Sequence, residues 1–238
     1  MIKFVSVEDD NPALAHSPMV RAIEMMFTHI GEHGPIGLTP SKAFKRVFVH
    51  WAAANFDWPR YSEDELFVVN KVLNEMDFPP LMEIHDLLIA LKIGRHYKNS
   101  FRLTKAGQTL VGHPGQIFGV ITPFFLFETD HLAFSRRHER PLGNWDVYLN
   151  VLNVEAENGV SGRDLDQVFF GANSTTQYSY DLSNLYVQIL RPLCWTGLLS
   201  EHRTKRQGLE EGTFTKTPLW HASLRLDTDD MVKPATRH

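Results

Sequence analysis

The sequence contains a single cysteine, Cys194, among its 238 residues, so an internal disulfide and a zinc site built from several cysteines are excluded. No apolar run approaches the ~18 residues that a membrane-spanning helix needs. The first ten residues end in Glu8-Asp9-Asp10 and lack the basic and then apolar segments of a signal peptide. We therefore expect a cytoplasmic protein that does not associate with membranes.

The chain also has little net charge. It carries 24 Lys and Arg residues against 28 Asp and Glu residues, a formal net charge of -4, which exerts no general attraction on nucleic acid. Apolar residues make up 43% and charged residues 22%, the composition of an ordinary globular protein. Binding to nucleic acid would therefore depend on cations that are concentrated locally.

Catalytic motifs are missing from the sequence. It contains no phosphate-binding glycine loop, no dinucleotide fingerprint, no Gly-x-Ser-x-Gly and no His-Glu-x-x-His. The twelve histidines do not follow metal-ligand spacing, and Cys194 is interpreted as a small buried hydrophobic residue. We expect a non-enzymatic protein without a metal or cofactor.

Apolar residues recur at helical spacing through most of the chain, which predicts a mainly α protein with short β-hairpins, in the α+β class. The first hairpin is predicted over 95–104, and a second pair of strands near 198–200 and 213–217. The predicted helices cover residues 19–30, 40–55, 62–76, 79–91, 108–111, 145–154, 161–169 and 181–190. Their expected N-caps include Thr39, Ser62 with Glu65 as a capping box, Ser161 and Asp181.

Two stretches, 87–104 and 189–217, repeat one pattern: an apolar helix, a glycine, a short strand, a polar excursion and a strand that ends in threonine. Because an isolated hairpin is only marginally stable in water, each is expected to pack against its helices. The predicted organisation is an irregular lead-in over 1–18, module one over 19–112, a connecting helix and linker over 113–143, module two over 144–226, and a flexible tail over 227–238.

The end of module one, Leu88…Leu91…Ile93-Gly94…Phe101-x-Leu103-Thr104-x-x-Gly107, resembles the helix–wing–LTxxG close of many bacterial winged-helix proteins. It is also similar to winged-helix regions of uncharacterised proteins from plasmids and other mobile elements. In the second copy Trp220 stands in the place of Gly107, so that close is imperfect. The resemblance implies two tandem winged-helix modules that bind double-stranded DNA, as a transcriptional regulator or a mobile-element accessory factor.

Cations in the two predicted wings are the main candidates for contact with DNA phosphates. Asn184 and Gln188, one helical turn apart, are expected to pair with adenine edges. The helix over 81–92 instead displays Glu83, His85 and Asp86, so it is not expected to read DNA. The candidate DNA-binding residues are Arg95, His96, Lys98, Arg102 and Lys105 in module one, and Thr176, Gln177, Tyr178, Asn184, Gln188, Arg203, Lys205 and Arg206 in module two.

A second hypothesis remains open, that of a protein-interaction module in a toxin–antitoxin or replication-linked assembly. It would bind a protein partner or a second copy of itself. The acidic helix face and the Phe-rich segment over 118–127 are the candidate surfaces.

Overall fold

A computed structural model describes residues 2–133, 140–171, 180–204 and 206–232. The chain divides into two compact units: the first unit is Glu8–Ile121, and the second unit joins Met1–Val7 to Thr122–His238. Both units are mainly helical with short antiparallel strands, which confirms the α+β prediction. No helix within these described ranges is long and apolar enough to cross a bilayer.

Helices and short strands are interspersed along the whole chain. The elements are β1 (Lys3–Phe4), α1 (Pro18–His33), β2 (Ile36–Gly37), α2 (Arg46–Asn55), α3 (Glu63–Val69), α4 (Pro79–Ala90), β3 (Gly94–Tyr97), β4 (Ser100–Leu103), α5 (Lys105–Thr109), α6 (Pro114–Phe127), α7 (Trp145–Glu155), β5 (Val160–Ser161), α8 (Gly162–Phe170), α9 (Tyr180–Leu185), α10 (Arg191–Thr196), β6 (Leu199–His202), β7 (Thr213–Lys216), α11 (Pro218–Ser223) and β8 (Leu224–Arg225). Short 3₁₀ turns cover Pro12–His16, Glu75–Asp77 and Asp229–Met231, and a π-helical turn over Tyr186–Leu190 joins α9 to α10.

Two helix starts follow the predicted caps. The Ser62 hydroxyl accepts from the Glu65 amide at 3.4 Å while the Glu65 carboxylate accepts from the Ser62 amide at 3.2 Å, the reciprocal capping box of α3. The Ser161 hydroxyl likewise accepts from the amide of Asp164 at the start of α8. Asp181, predicted as a cap, lies inside the first turn of α9.

Two predicted helices are shorter than expected. The prediction that Thr39 caps a helix is wrong, because α2 begins only at Arg46, after a turn in which the Thr39 amide donates to Ala43 O. The next helix, α3, ends at Val69 rather than near 76. The chain then turns so that Leu73 and Glu75 are buried, and burial of these two side chains outweighs continuation of the helix.

The sheet that contains the hairpin has three strands in each unit, one more than predicted. The strand order is β2-β4-β3 in the first unit and β5-β7-β6 in the second, and both sheets are antiparallel. Sequence reasoning missed β2 and β5 because two residues are too few to show the alternation of a strand. Strand β2 follows α1, and strand β5 follows α7. Each precedes the helices that lead into the hairpin of its sheet.

A threonine at the end of each hairpin makes the same two bonds. Thr104 donates its amide to Ile93 O at 2.9 Å and its hydroxyl to Lys92 O at 2.7 Å. Thr217 donates its amide to Leu198 O at 3.1 Å and its hydroxyl to Gly197 O at 2.6 Å. The two halves of the predicted repeat therefore close with the same hydrogen bonds.

The residues after these threonines differ between the units. A Cβ atom on Gly107 would lie 2.2 Å from Ile93 O, so only glycine fits there. Trp220 is instead buried, and its indole N–H donates to Asn153 Oδ1 at 3.0 Å. This difference accounts for the imperfect second copy of the motif.

Described residues near both ends of the chain make contacts that the sequence did not predict. In the second unit β1 pairs with β8, so residues 3 and 4 are not an irregular lead-in. Thr228 and Asp229, expected in a flexible tail, bond to Asn150 and Asn153 of α7. The predicted Phe-rich surface is mostly core, since Phe118 and Phe125 are buried.

Candidate nucleic-acid interface

The first hairpin has one inward and one outward face. Because strand residues alternate, the register Arg95↔Arg102 and Tyr97↔Ser100 places these side chains on the same face. The opposite face carries Phe101, which is fully buried. We call the outward group of Arg95, Tyr97, Lys98 and Arg102 the basic face.

Three cations of the basic face surround an exposed aromatic ring. The Arg95 and Arg102 guanidinium carbons lie 5.6 and 5.0 Å from the centroid of Tyr97, and Lys98 Nζ lies 5.3 Å from it. Tyr97 is 43% exposed. These are cation–π distances, so the ring partly offsets the repulsion between its cationic neighbours.

Folding alone does not explain this arrangement. Arg95 and Arg102 are directly opposite each other, and like charges in that position destabilise a sheet. Within the part of the chain that the structure describes, no carboxylate forms an ion pair with Arg95, Lys98 or Arg102. The basic face therefore has charge available for an external anion.

A fourth cation joins the hairpin from a distant part of the sequence. Lys98 and Asn99 have φ of 45° and 57°, the left-handed pair of a tight hairpin turn. The Leu38 amide donates to Asn99 O at 2.8 Å, and Lys42 Nζ donates to Asn99 Oδ1 at 3.4 Å. Sequence reasoning missed Lys42 because only the sheet brings it to the hairpin. Lys105, also a candidate, is exposed at the start of α5.

The expectation that the helix displays His85 is wrong, and His96 lies against this buried ring. His96 Nε2 turns away from the basic face and lies 2.8 Å from His85 Nε2. His85, expected on the displayed surface of α4, is only 5% exposed and stacks on Phe44 at 3.9 Å between ring centroids. Its Nδ1 lies 2.6 Å from Glu75 Oε1, and Glu75 Oε2 accepts from the Phe44 amide at 2.6 Å. We call Glu75, His85 and His96 the histidine chain.

Burial, together with the neighbouring His85 and Lys42, lowers the pKa of His96 from its ordinary value. On α4 itself, Asp86 is exposed. Partial desolvation of its carboxyl by the neighbouring protein raises the pKa of that group. With Glu83 beside it on the same helix, α4 presents acidic groups and no cation, as expected from the sequence.

The predicted base-reading pair of the second unit is buried. Asn184 Nδ2 and Gln188 Nε2 both donate to Arg140 O, at 3.0 and 2.9 Å, and Gln188 Oε1 accepts from the Leu142 amide at 2.8 Å. Gln188 also donates to the Asn184 side chain. These two amides are used to hold the connecting segment, so the expectation that they contact base edges is wrong.

The second hairpin is weaker as an anion site than the first. The Arg203 guanidinium forms an ion pair with Glu201, Nε to Oε1 2.8 Å, and the Tyr186 hydroxyl donates to the same carboxylate at 2.9 Å. Arg203 is thus neutralised within the fold, whereas Arg206 is exposed. The candidates Thr176, Gln177, Tyr178 and Lys205 lie outside the described residues.

Groups suited to metal binding or nucleophilic attack do not converge in what the structure describes. No cluster of three His, Cys, Asp or Glu residues there has the arrangement of a metal site. Burial raises the pKa of the Cys194 thiol well above its ordinary value, with Glu201 adding to the effect. A neutral thiol is a poor nucleophile.

Comparison with known proteins matches both halves of the chain to one family. The model of the Y4jL N-terminal domain matches residues 15–116, and that of the y4jL C-terminal domain matches residues 135–218. The "Uncharacterized protein y4jL" of Sinorhizobium fredii (strain NBRC 101917 / NGR234) is 36% identical over 175 residues, which covers 73% of this chain and 80% of that protein. The chain belongs to the y4jL family. No solved structure shows significant similarity to this y4jL-family chain.

The two y4jL domains correspond to the two hairpin-bearing halves of the fold. The basic face, Lys42 and the histidine chain all fall within the match to the N-terminal domain, residues 15–116. The Asn184–Gln188 pair and Arg203 fall within the match to the C-terminal domain, residues 135–218.

Proposed function

We propose that this chain is a non-enzymatic, cytoplasmic protein that binds the phosphate backbone of double-stranded DNA through the basic face of its first hairpin. The observation that carries the proposal is the convergence of Arg95, Lys98 and Arg102 on exposed Tyr97 without a neutralising carboxylate among the described residues. Lys and Arg side chains in such clusters supply most of the affinity for duplex DNA.

The fold supports the same proposal. Each unit has a helix, a short strand, further helices and a hairpin, with the short strand next to the last strand of the hairpin. That order matches a winged-helix module, and we propose that both units have this fold. The usual reading helices are unsuited here, because α4 is acidic and, from α9 to α10, every residue after Asp181 is buried or half-buried. The proposed contact is therefore with the backbone, independent of base sequence.

This proposal is tested by measuring binding to a labelled duplex at several salt concentrations, with fluorescence anisotropy as the readout. Removing Arg95, Lys98 and Arg102 together, each to Ala, should weaken binding and reduce the slope of log K against log salt by about 3. The Lys71→Ala variant removes one exposed cation from the acidic segment after α3 and should leave the slope unchanged. A triple variant that binds as tightly as the unaltered chain, with the same slope, would refute the role of the basic face.

A second candidate function is protein binding at an exposed apolar group beside acidic residues. Val68 and Val69 at the end of α3 are 83% and 82% exposed, and Met76 in the following 3₁₀ turn is also exposed. Exposed apolar groups of this kind are typical of protein interfaces. Sedimentation of the unaltered chain and of Val68→Asp tests for a homodimer; a single species of monomer mass in both would remove that version of the hypothesis.

A further inference from the structure

Phosphate binding by Arg95 and Arg102 does not require the histidine chain, which therefore has no role in the function proposed so far. Both oxygens of Glu75 are occupied as acceptors, one by the Phe44 amide and one by His85 Nδ1. His85 Nε2 and His96 Nε2 lie 2.8 Å apart, so a hydrogen bond between the two rings extends the chain from Glu75 to His96.

We propose that His96 is a proton-dependent phosphate-binding residue of the hairpin, neutral in the free chain and protonated when a phosphate backbone is bound. The proposal rests on the function proposed above, since it requires that DNA binds at this hairpin. His96 lies between Arg95 and Tyr97 on β3, the edge strand of its sheet. A protonated His96 would thus extend the basic face around the edge of the hairpin.

The charges that face His96 come from four elements. His85 on α4 and Lys42 in the loop before α2 oppose its protonation, together with burial, whereas Asp86 on α4 and Glu75 in the 3₁₀ turn favour it. Arg95 precedes it on the same strand. The net effect is a lowered pKa in the free chain. A phosphate bound at this edge adds negative charge and partly cancels Lys42, so DNA should raise that pKa.

Linkage then sets the direction of the pH effect. Because the DNA-bound chain holds the proton more tightly than the free chain, affinity must increase as the pH falls through the two pKa values. A rise of one pKa unit on binding gives at most about a tenfold gain in affinity. A purely structural histidine would change the amount of folded protein and not this slope.

The experiment measures binding of the full chain to a short labelled duplex at constant ionic strength, from about pH 8 to about pH 5.5, a range that brackets the ordinary histidine pKa. The unaltered chain should gain severalfold in affinity as the pH falls. The His96→Gln variant should lose this gain in affinity. His16→Gln, which alters an exposed histidine on another turn of the same unit, is the matched control and should retain it.

A second variant reports on the rest of the histidine chain. Glu75→Gln keeps an acceptor for the Phe44 amide but removes the negative charge that favours His96 protonation. Its gain in affinity should therefore move to lower pH. An NMR titration of the His96 ring, with and without the duplex, should show the higher pKa in the complex.

The outcomes separate the two proposals. DNA binding that depends on Arg95 and Arg102 but does not change with pH, or a His96→Gln variant that keeps the full gain, would overturn the role of His96 alone. An unaltered chain that fails to bind duplex across the whole pH range would overturn the proposed function and this inference with it.

Discussion

His131 should make the second unit lose stability in mild acid. Burial and the nearby Arg191 lower the pKa of this histidine from 6.5 to about 4, against an opposing effect of hydrogen bonds to backbone at Leu126 and Phe125. The ring lies edge-on to Phe125 at 4.9 Å, and its Nε2 is buried without a hydrogen-bond partner in the described structure. Protonation would place a charge at that nitrogen.

The sign and size of the effect follow from linkage. The folded pKa is below the unfolded value, so the unfolded chain takes up the proton first and stability falls as the pH drops from 6.5 towards 4. A shift of this size corresponds to about 3 kcal/mol at the acid limit, since one pKa unit is worth about 1.4 kcal/mol. Above the unfolded pKa the full stability is present.

Urea denaturation of the unaltered chain and of His131→Phe, each measured at several pH values, isolates this effect. Phe suits the aromatic surroundings and cannot titrate, so the difference in unfolding free energy should shift by about 3 kcal/mol in favour of the variant between neutral pH and about pH 4. The difference at neutral pH gives the packing cost of the substitution. A difference that stays constant across the range would refute the burial argument for His131.

Two further substitutions test the closes of the hairpins. Gly107→Ala should destabilise the first unit by about 1–3 kcal/mol in urea denaturation, because the added Cβ atom would lie 2.2 Å from Ile93 O. The control is Gly119→Ala, since a Cβ atom there meets nothing within 4 Å. Equal urea midpoints for the two variants would contradict the steric argument. Thr217→Val should cost the second unit about 1–2 kcal/mol, since it removes both the bond to Gly197 O and the cap on the Leu219 amide. The control is Thr215→Val on β7, which should lower the unfolding free energy by less. A larger loss for Thr215→Val than for Thr217→Val would contradict the proposed importance of the Thr217 hydrogen bonds.

Local sequence patterns were enough for the helical class, two of the helix caps and the duplication. The capping box at Ser62 depends on residues three positions apart, and the threonine closes at Thr104 and Thr217 depend on a short pattern that recurs. The basic character of the first hairpin was also predictable, because Arg95, Lys98 and Arg102 are neighbours along the chain. Interactions of this kind are local, and the sequence displays them directly.

Other features depend on contacts between distant residues, and only the tertiary structure decided them. Lys42 is brought to the hairpin by the pairing of β2 with β4. A strand of two residues is too short to be recognised from the sequence. Gln188 looked like an exposed base reader, yet its amide satisfies backbone groups of the connecting segment 46 residues away. Spacing along a helix shows which residues share a face, but what covers that face is set by packing, since buried polar groups must find hydrogen-bond partners wherever the fold provides them.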